Sequence, residues 1–124
     1  MKYLLLVYID PELLEQATAE QYDGEMRHCI RHADTLATQG TLLGFNKLES
    51  PAQARTVRIR EGRTSVFDGP FAETKEVLAG YNLIEADSLE QAIELASRFP
   101  WARYGSVEVR PVADMEAERE RVGA

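Results

Sequence analysis

The segment Lys2–Ile9, with the sequence KYLLLVYI, constrains the fold more than any other part of the chain. After its first residue it is apolar or aromatic throughout, without the alternation that marks a half-buried strand. We expect such a segment to form a strand that is covered on both faces of a sheet. Its apolar run is far shorter than the about 20 residues of a transmembrane helix. The sequence Asp10-Pro11-Glu12 follows it directly, without the small-residue cleavage site of a leader peptide.

Two amphipathic helices are predicted beside this strand. The spacing of Thr18 and Gln21 is that of a capping box, and the helix behind it is expected to end at Gly40. A second capping-box spacing, from Ser88 to Gln91, begins the other helix. The residues predicted to face the sheet are Tyr22, Met26, Cys29, Ile30, Ala33, Leu36 and Ala37 in the first helix and Leu89, Ala92, Ile93 and Ala96 in the second.

The remaining segments predict further strands, and the order of elements predicts an α+β domain with both main helices on one face of an antiparallel sheet. A short helix is expected over residues 70–79, directly after the sequence Asp-Gly-Pro. Residues 1–112 form the predicted domain, and residues 113–124 are a charged tail that is either a frayed helix or disordered. The predicted strands are residues 41–48, a hairpin over 55–69 that turns at Glu61-Gly62-Arg63, 81–86 and 105–112.

A layer of helices on one face leaves the other face of the sheet uncovered. Pairing of two such faces would bury both, so the sequence predicts a homodimer.

The charge balance narrows the classes of partner. The chain carries 21 acidic and 14 basic residues, which gives a net charge of −7. Nucleic acids and anionic membranes are bound through excess cations, so we expect neither as a partner. The single cysteine, Cys29, excludes an intramolecular disulfide and favours a cytoplasmic location. No nucleotide-binding glycine loop or haem motif is present, and no cofactor is expected.

Several segments together resemble one known family. The segment DGPFAETKE (residues 68–76), the opening MKYLLLVY, the stretch from Gly80 to Ala96 and the ending GSVEVRPV resemble the YCII-related family, in its DGPF branch. The resemblance runs from Met1 to about Val112. It implies a ferredoxin-like fold that dimerises, sheet against sheet, into an α+β barrel.

The resemblance does not supply an activity. Members of the DGPF branch are mostly of undefined function, and some are encoded beside extracytoplasmic-function sigma factors, which implies a functional link to a sigma factor. Relatives with the same dimeric barrel include isomerases, lyases and monooxygenases, so chemistry inferred from the fold is analogy. The wider family is described with a His-Asp pair. The expected helix position holds Cys29 in this chain, and His28 lies one residue away.

The Asp68-Gly69-Pro70-Phe71 segment has a structural and a functional interpretation. In the structural one, Gly69 adopts a conformation that favours glycine, Pro70 begins a helix, Asp68 caps it and Phe71 anchors it in the core. In the functional one, Asp68 lines a ligand pocket with its neighbours and with Glu73. The two roles are compatible at the rim of a pocket.

Two other groups are candidates. His28 and His32 are four residues apart, as metal ligands on a helix often are, but no third ligand is evident and no metal site is predicted. Their helical positions flank the apolar stripe, whereas Cys29 lies on it and is interpreted as a small core residue. Arg58 can hold a carboxylate or phosphate, or it can keep a solvated strand face from pairing.

Two functions follow from these candidates. The first is a small-molecule-binding or regulatory module with a pocket near Asp68, lined by the residues around it and by Arg58. The alternative is an isomerase- or lyase-type enzyme in which Asp68 and one of the histidines, His28 or His32, form an acid–base pair.

Overall fold

The computed structural model describes residues 1–124 and contains four α-helices, a four-stranded antiparallel sheet and a separate two-stranded hairpin. The strands are β1 (Lys2–Ile9), β2 (Leu42–Lys47), β3 (Arg55–Arg60), β4 (Arg63–Asp68), β5 (Val77–Glu85) and β6 (Gly105–Pro111). The helices are α1 (Pro11–Glu15), α2 (Ala19–Thr38), α3 (Leu89–Ser97) and α4 (Met115–Val122), with short 3-10 turns at Pro51–Gln53 and Pro100–Arg103. None of the helices combines the length and apolar character needed to cross a bilayer.

The strand order in the main sheet is β2-β5-β1-β6, and each neighbouring pair is antiparallel. This order, with α2 after β1 and α3 after β5, is the β-α-β-β-α-β arrangement of ferredoxin-like domains. The hairpin of β3 and β4 is inserted between β2 and β5. The predicted α+β class with an antiparallel sheet is therefore confirmed.

The core lies between one face of the sheet and the two main helices. Alternate residues of β1, namely Tyr3, Leu5, Val7 and Ile9, are buried. The register pairs Tyr3 with Ile84, so the buried residues of β1 and β5 point to the same side. The helix residues that complete this cluster are Cys29, Ala33 and Leu36 from α2 and Ala92 and Ala96 from α3. Both helices thus pack on one face, as predicted.

Four helix residues that were predicted to face the sheet are exposed instead, so these predictions are wrong. Leu89 is 42% exposed and Ile93 is 51% exposed. The buried stripe of α3 runs through Ala92 and Ala96, and Ile93 is turned about 100° away from Ala92. On α2, Ile30 is 43% exposed, and Ala37 is also exposed.

The opposite face of the sheet is covered by no other part of the chain. Leu4, Leu6 and Tyr8 of β1 and Tyr81 and Leu83 of β5 point to this side and are half-buried. We call these five residues the open sheet face. Within one chain, β1 is therefore fully buried on one side only.

The predicted hairpin is confirmed. Its strands pair from Arg55 with Asp68 to Arg60 with Arg63, and both turn residues, Glu61 and Gly62, have positive φ angles. Two-residue turns of this kind match the twist of an antiparallel pair. The pairing of Val57 with Val66 leaves both side chains more than 60% exposed.

The predicted short helix over residues 70–79 is wrong. Residues 69–76 form an irregular connection, and β5 already begins at Val77, which pairs with Ile9. A helix of ten residues is marginal without tertiary support, and the ladder with β1 supplies hydrogen bonds that the helix would forgo. Phe71 is 79% exposed, so it does not anchor the core. Gly69 does have the positive φ angle, +86°, that was expected of it.

The charged tail is helical. Asp114 caps the first turn of α4, and Gly123 ends the helix in the left-handed conformation. Ion pairs between Glu116 and Arg119 and between Glu118 and Arg121 lie along its surface. All of its residues are exposed.

Replacing Gly105 by alanine should destabilise the fold, because its added Cβ would lie 2.0 Å from the carbonyl oxygen of Tyr8. We expect a loss of about 3 kcal/mol in the free energy of unfolding, measured by urea denaturation. The matched control is Gly24→Ala in the interior of α2, where the nearest atom is 4.0 Å away. That variant should gain about 0.5–1 kcal/mol from the lower chain entropy of alanine. Equal stabilities of the two variants would contradict the close approach of β6 to β1.

Candidate functional site

The Asp68 carboxylate stands at the end of β4, outside the main sheet. Its side chain is 93% exposed, and Oδ1 lies 3.2 Å from Nε of Arg55, its partner across the hairpin. It caps no helix, because no helix follows. A pair this exposed contributes little to stability.

The other candidates near Asp68 lie on the surface as well. Pro70, Phe71 and Glu73 are exposed in the connection after β4, and Gly69 is partly buried. Gly69 donates its N–H to the Ala54 carbonyl oxygen, and its own carbonyl oxygen accepts from Thr56.

The fold does not place Arg58 next to Asp68. In the hairpin register, Asp68 pairs with Arg55 and Arg58 pairs with Ser65, so the two side chains point to opposite faces. The Arg58 guanidinium instead lies 5.9 Å from the centre of the Phe67 ring.

The two histidines lie on the outer part of α2, near the end of α3. His28 Nε2 is 3.1 Å from the Arg98 carbonyl oxygen. The two imidazole rings are stacked at 6.4 Å, and His32 meets the edge of Phe99 at 4.6 Å. Neither histidine contacts Asp68 within one chain. No group of three His, Cys, Asp or Glu side chains is arranged to hold a metal ion.

Burial disfavours the charged form of His32. Its Nε2 is buried without a hydrogen-bond partner. Removal from water lowers the pKa of His32, and a hydrogen bond with the Leu95 backbone opposes this in part. The nearby charges of His28 and Arg98 lower the pKa by smaller amounts. The imidazole is therefore held in its neutral form.

A cavity of about 300 Å³ lies between α2 and the sheet, at the end where β2 and β5 pair. We call it the α2 cavity. Val7, Ile9 and Gly80 lie on its sheet side, and Met26 and Cys29 lie on its helix side. Its walls are mostly apolar, and Trp101 contributes an aromatic surface.

Small residues border this space. Gly80 cannot carry a side chain, because an added Cβ would lie 2.7 Å from the Asn46 carbonyl oxygen, and Cys29 lines the cavity from α2. The Cys29 Sγ accepts a hydrogen bond from Trp101 Nε1 at 3.2 Å. Burial raises the pKa of Cys29, against a smaller lowering effect of this hydrogen bond, so the thiol stays protonated. This agrees with its interpretation as a small core residue.

Two polar side chains converge on the α2 cavity. Lys47, opposite Gly80 in the register of β2 and β5, donates from Nζ to the Tyr22 hydroxyl at 3.0 Å. That hydrogen bond raises the pKa of Lys47, which keeps the ammonium charged. Asn82 also borders the cavity, but its Oδ1 is enclosed by protein and has no hydrogen-bond partner.

Neither Lys47 nor Asn82 was identified from the sequence. A signal was present at Asn82, since an amide on the same strand face as Ile84 is unusual. Lys47 carried no such signal, because its inward position follows from the pairing of β2 with β5. The Asp68 segment and the histidines do not line the α2 cavity.

Comparison with known proteins gives a consistent family match. The family model for the YCII-related domain matches residues 1–116. An uncharacterized protein of Rhizobium meliloti (strain 1021) is 36% identical over 115 residues, which cover 91% of this chain and 93% of that relative.

The lowered pKa of His32 predicts a loss of stability in mild acid. As the pH falls below about 6.5, the unfolded chain takes up a proton at His32 while the folded chain does not, so the unfolded state is favoured. The variant His32→Leu should lose less stability than the wild type between about pH 7.5 and about pH 5.5. Urea midpoints at the two pH values measure the difference. Equal losses in both proteins would show that His32 is not the group responsible.

Proposed function

This chain belongs to the YCII-related family, and on that premise we propose that it binds a small molecule in the α2 cavity. The observation that carries the proposal is the cavity itself, about 300 Å³ in volume with mostly apolar walls and a few convergent polar groups. Such spaces are typical of small-molecule sites. The cavity opens to solvent at its mouth, where Lys47, Glu49 and Ser50 are exposed, so a small molecule can enter it from outside.

The proposed site differs from the sequence-based hypothesis, which placed the pocket at Asp68. The acid–base alternative requires Asp68 and a histidine within hydrogen-bond reach of one another. Within one chain, Asp68 pairs with Arg55, whereas His28 contacts the Arg98 carbonyl oxygen. We therefore propose binding in the α2 cavity, since a pair of Asp68 with a histidine is not formed within one chain. A regulatory role beside a sigma factor and a cytoplasmic location stay predictions.

We also propose that two chains associate through the open sheet face. Its support is the row of half-buried apolar and aromatic side chains on the central strands β1 and β5, which no other part of the chain covers. Burying such a row on a second copy would remove its apolar surface from water. The two sheets would then form the barrel that the family resemblance implies.

Ligand binding can be tested with the neutral dye N-phenyl-1-naphthylamine. Trp101 is the single tryptophan and lines the α2 cavity, so excitation energy should pass from it to a dye bound there. We expect saturable energy transfer with one dye per chain. The variant Val7→Phe places a ring on the floor of the cavity and should weaken dye binding at least about tenfold. This corresponds to a loss of about 1.4 kcal/mol in binding free energy, because less of the dye would be buried.

Two control variants accompany this experiment. Val109→Phe makes the same change on the same face of the sheet, at a residue outside the cavity lining. Asp68→Asn alters the carboxylate that was the first candidate. Both should bind the dye like the wild type. If Asp68→Asn alone lost dye binding, the ligand site would lie at the hairpin and not in the α2 cavity.

The assembly proposal predicts the effect of a charge on the open sheet face. Leu6→Glu should shift the chain toward the monomer in light scattering, because two carboxylates would face each other in the buried interface. Leu89→Glu, on the exposed side of α3, is the matched control and should keep the wild-type mass. A wild-type protein that is monomeric at all concentrations would refute the proposal.

A further inference from the structure

We infer that the hairpin of β3 and β4 docks through one of its faces into a groove between α1 and α2 of a second copy of this chain. The docking face is the side that carries Arg58, Arg60 and Arg63, and we call it the arginine face. The groove, lined by residues between Pro11 and Asp23, is called the α1–α2 groove. This inference goes beyond ligand binding in the α2 cavity and does not depend on it.

The hairpin lacks the packing that supports the rest of the fold. It shares no ladder with the main sheet, and eleven of its twelve strand residues are exposed. An isolated two-stranded hairpin is marginally stable at best in water. A surface on a second chain would supply the support that its own chain does not give.

The arginine face concentrates positive charge that has no acidic partner within the chain. Arg58, Arg60 and Arg63 form none of the ion pairs of the single chain. The register places Arg60 directly opposite Arg63, where two like charges destabilise a pair of strands. Carboxylates from outside the hairpin would relieve this repulsion.

The α1–α2 groove presents the opposite charge. Residues 11–23 include four acidic side chains and no basic one. Two of them, Glu15 and Asp23, line the groove, are exposed and form no ion pair within the chain. The other residues that line the groove are uncharged and mostly apolar, namely Pro11, Leu14, Ala17, Thr18, Ala19 and Tyr22. The groove therefore combines an apolar lining with unpaired carboxylates.

Arginine suits both properties of the groove. Its guanidinium can donate two parallel hydrogen bonds to a carboxylate, and its carbon stem can cover apolar surface. Phe67 adds an aromatic ring to the arginine face, where it is 51% exposed and lies 5.9 Å from the Arg58 guanidinium. The arginine face thus combines cations with apolar surface, as the groove combines carboxylates with it.

The distribution of charge favours a second copy as the partner. Residues 55–68 carry four arginines and two acidic residues, a net charge of +2, which leaves −9 for the rest of the chain. Both complementary surfaces occur on every chain, so two copies can exchange hairpins and form the contact twice about a two-fold axis. The hairpin and the groove also lie at the same end of the main sheet, where β1 ends and β5 begins.

Charge reversal on each side tests the contact. The hairpin variant combines Arg60→Glu with Arg63→Glu, and the groove variant combines Glu15→Lys with Asp23→Lys. Each variant alone would bring like charges together, so its dimer dissociation constant in analytical ultracentrifugation should be at least about tenfold larger than that of the wild type. In a 1:1 mixture, both contacts of the mixed dimer again join opposite charges, and the dissociation constant should return to within about threefold of the wild type. This recovery also shows that both variants are folded.

Two controls accompany the mixing experiment. Arg119→Glu with Arg121→Glu makes the same change in net charge on α4, outside the contact, and should keep the wild-type dissociation constant. In about 1 M NaCl, screening should remove most of the difference between the wild type and the two charge-reversed variants.

The mixture decides the outcome. If it associates no more tightly than the separate variants, the docking of the arginine face in the α1–α2 groove is overturned. Equal dissociation constants of the wild type and both variants would overturn it too, and would leave another protein, or none, as the occupant of the arginine face. A wild type that is monomeric at all concentrations has the same consequence. Binding of N-phenyl-1-naphthylamine is measured separately, so failure of this contact leaves the proposed binding function in place.

Discussion

The pairing of β1 with β5 on one side and β6 on the other is the constraint on which the rest of the structure depends. From Tyr3 to Ile9, the side chains on both faces of β1 are apolar or aromatic. The sequence of β1 alone would therefore tolerate a shift of one residue in its pairing with the neighbouring strands. The neighbouring strands remove that freedom. Gly105 lets β6 approach the backbone at Tyr8, and Gly80 lets β5 approach the backbone of Asn46. At either site a side chain would collide with a carbonyl oxygen, so the two glycines hold the register.

That register also creates the α2 cavity. It places Gly80 and Asn82 on the inward face of β5 and Lys47 beside them on β2. An amide in the core costs stability when its polar atoms are unpaired. The Asn82 Oδ1 has no partner and is enclosed by protein, so it is a local loss of stability beside the cavity.

What could be predicted from the sequence was set by local signals. The capping box at Thr18 forms with both of its hydrogen bonds. The hairpin turns at the predicted place, but over Glu61 and Gly62 alone, because Arg63 already pairs with Arg60. The helix expected after Asp68 failed because Val77 pairs with Ile9, a partner 68 residues earlier in the chain. No local pattern contains that pairing.

The same distinction applies to the site. Asp68 and the histidines were conspicuous as residue types, whereas Lys47 and Asn82 gain their relation from β2 and β5, which lie on either side of the hairpin. The buried stripe of α3 was rotated for a similar reason, because its contact with the sheet is decided by Ala92 and Ala96 and not by the larger Ile93. Family membership could be predicted because the motifs that indicate it are continuous stretches of the sequence.

The hairpin of β3 and β4 has a consequence for how proteins of this type can differ in length. Its base is held by backbone hydrogen bonds from Leu48 to Ala79 and from Gly69 to Ala54, and it shares no ladder with the main sheet. Adding one residue to each of its strands would move the turn outward by about 3.4 Å and leave β2 and β5 where they are. Insertions and deletions can therefore accumulate at the tip while Lys47 and Asn82 keep their separation. Equivalent residues in relatives of other lengths are best found by counting from the strand pairing and not from either end of the chain.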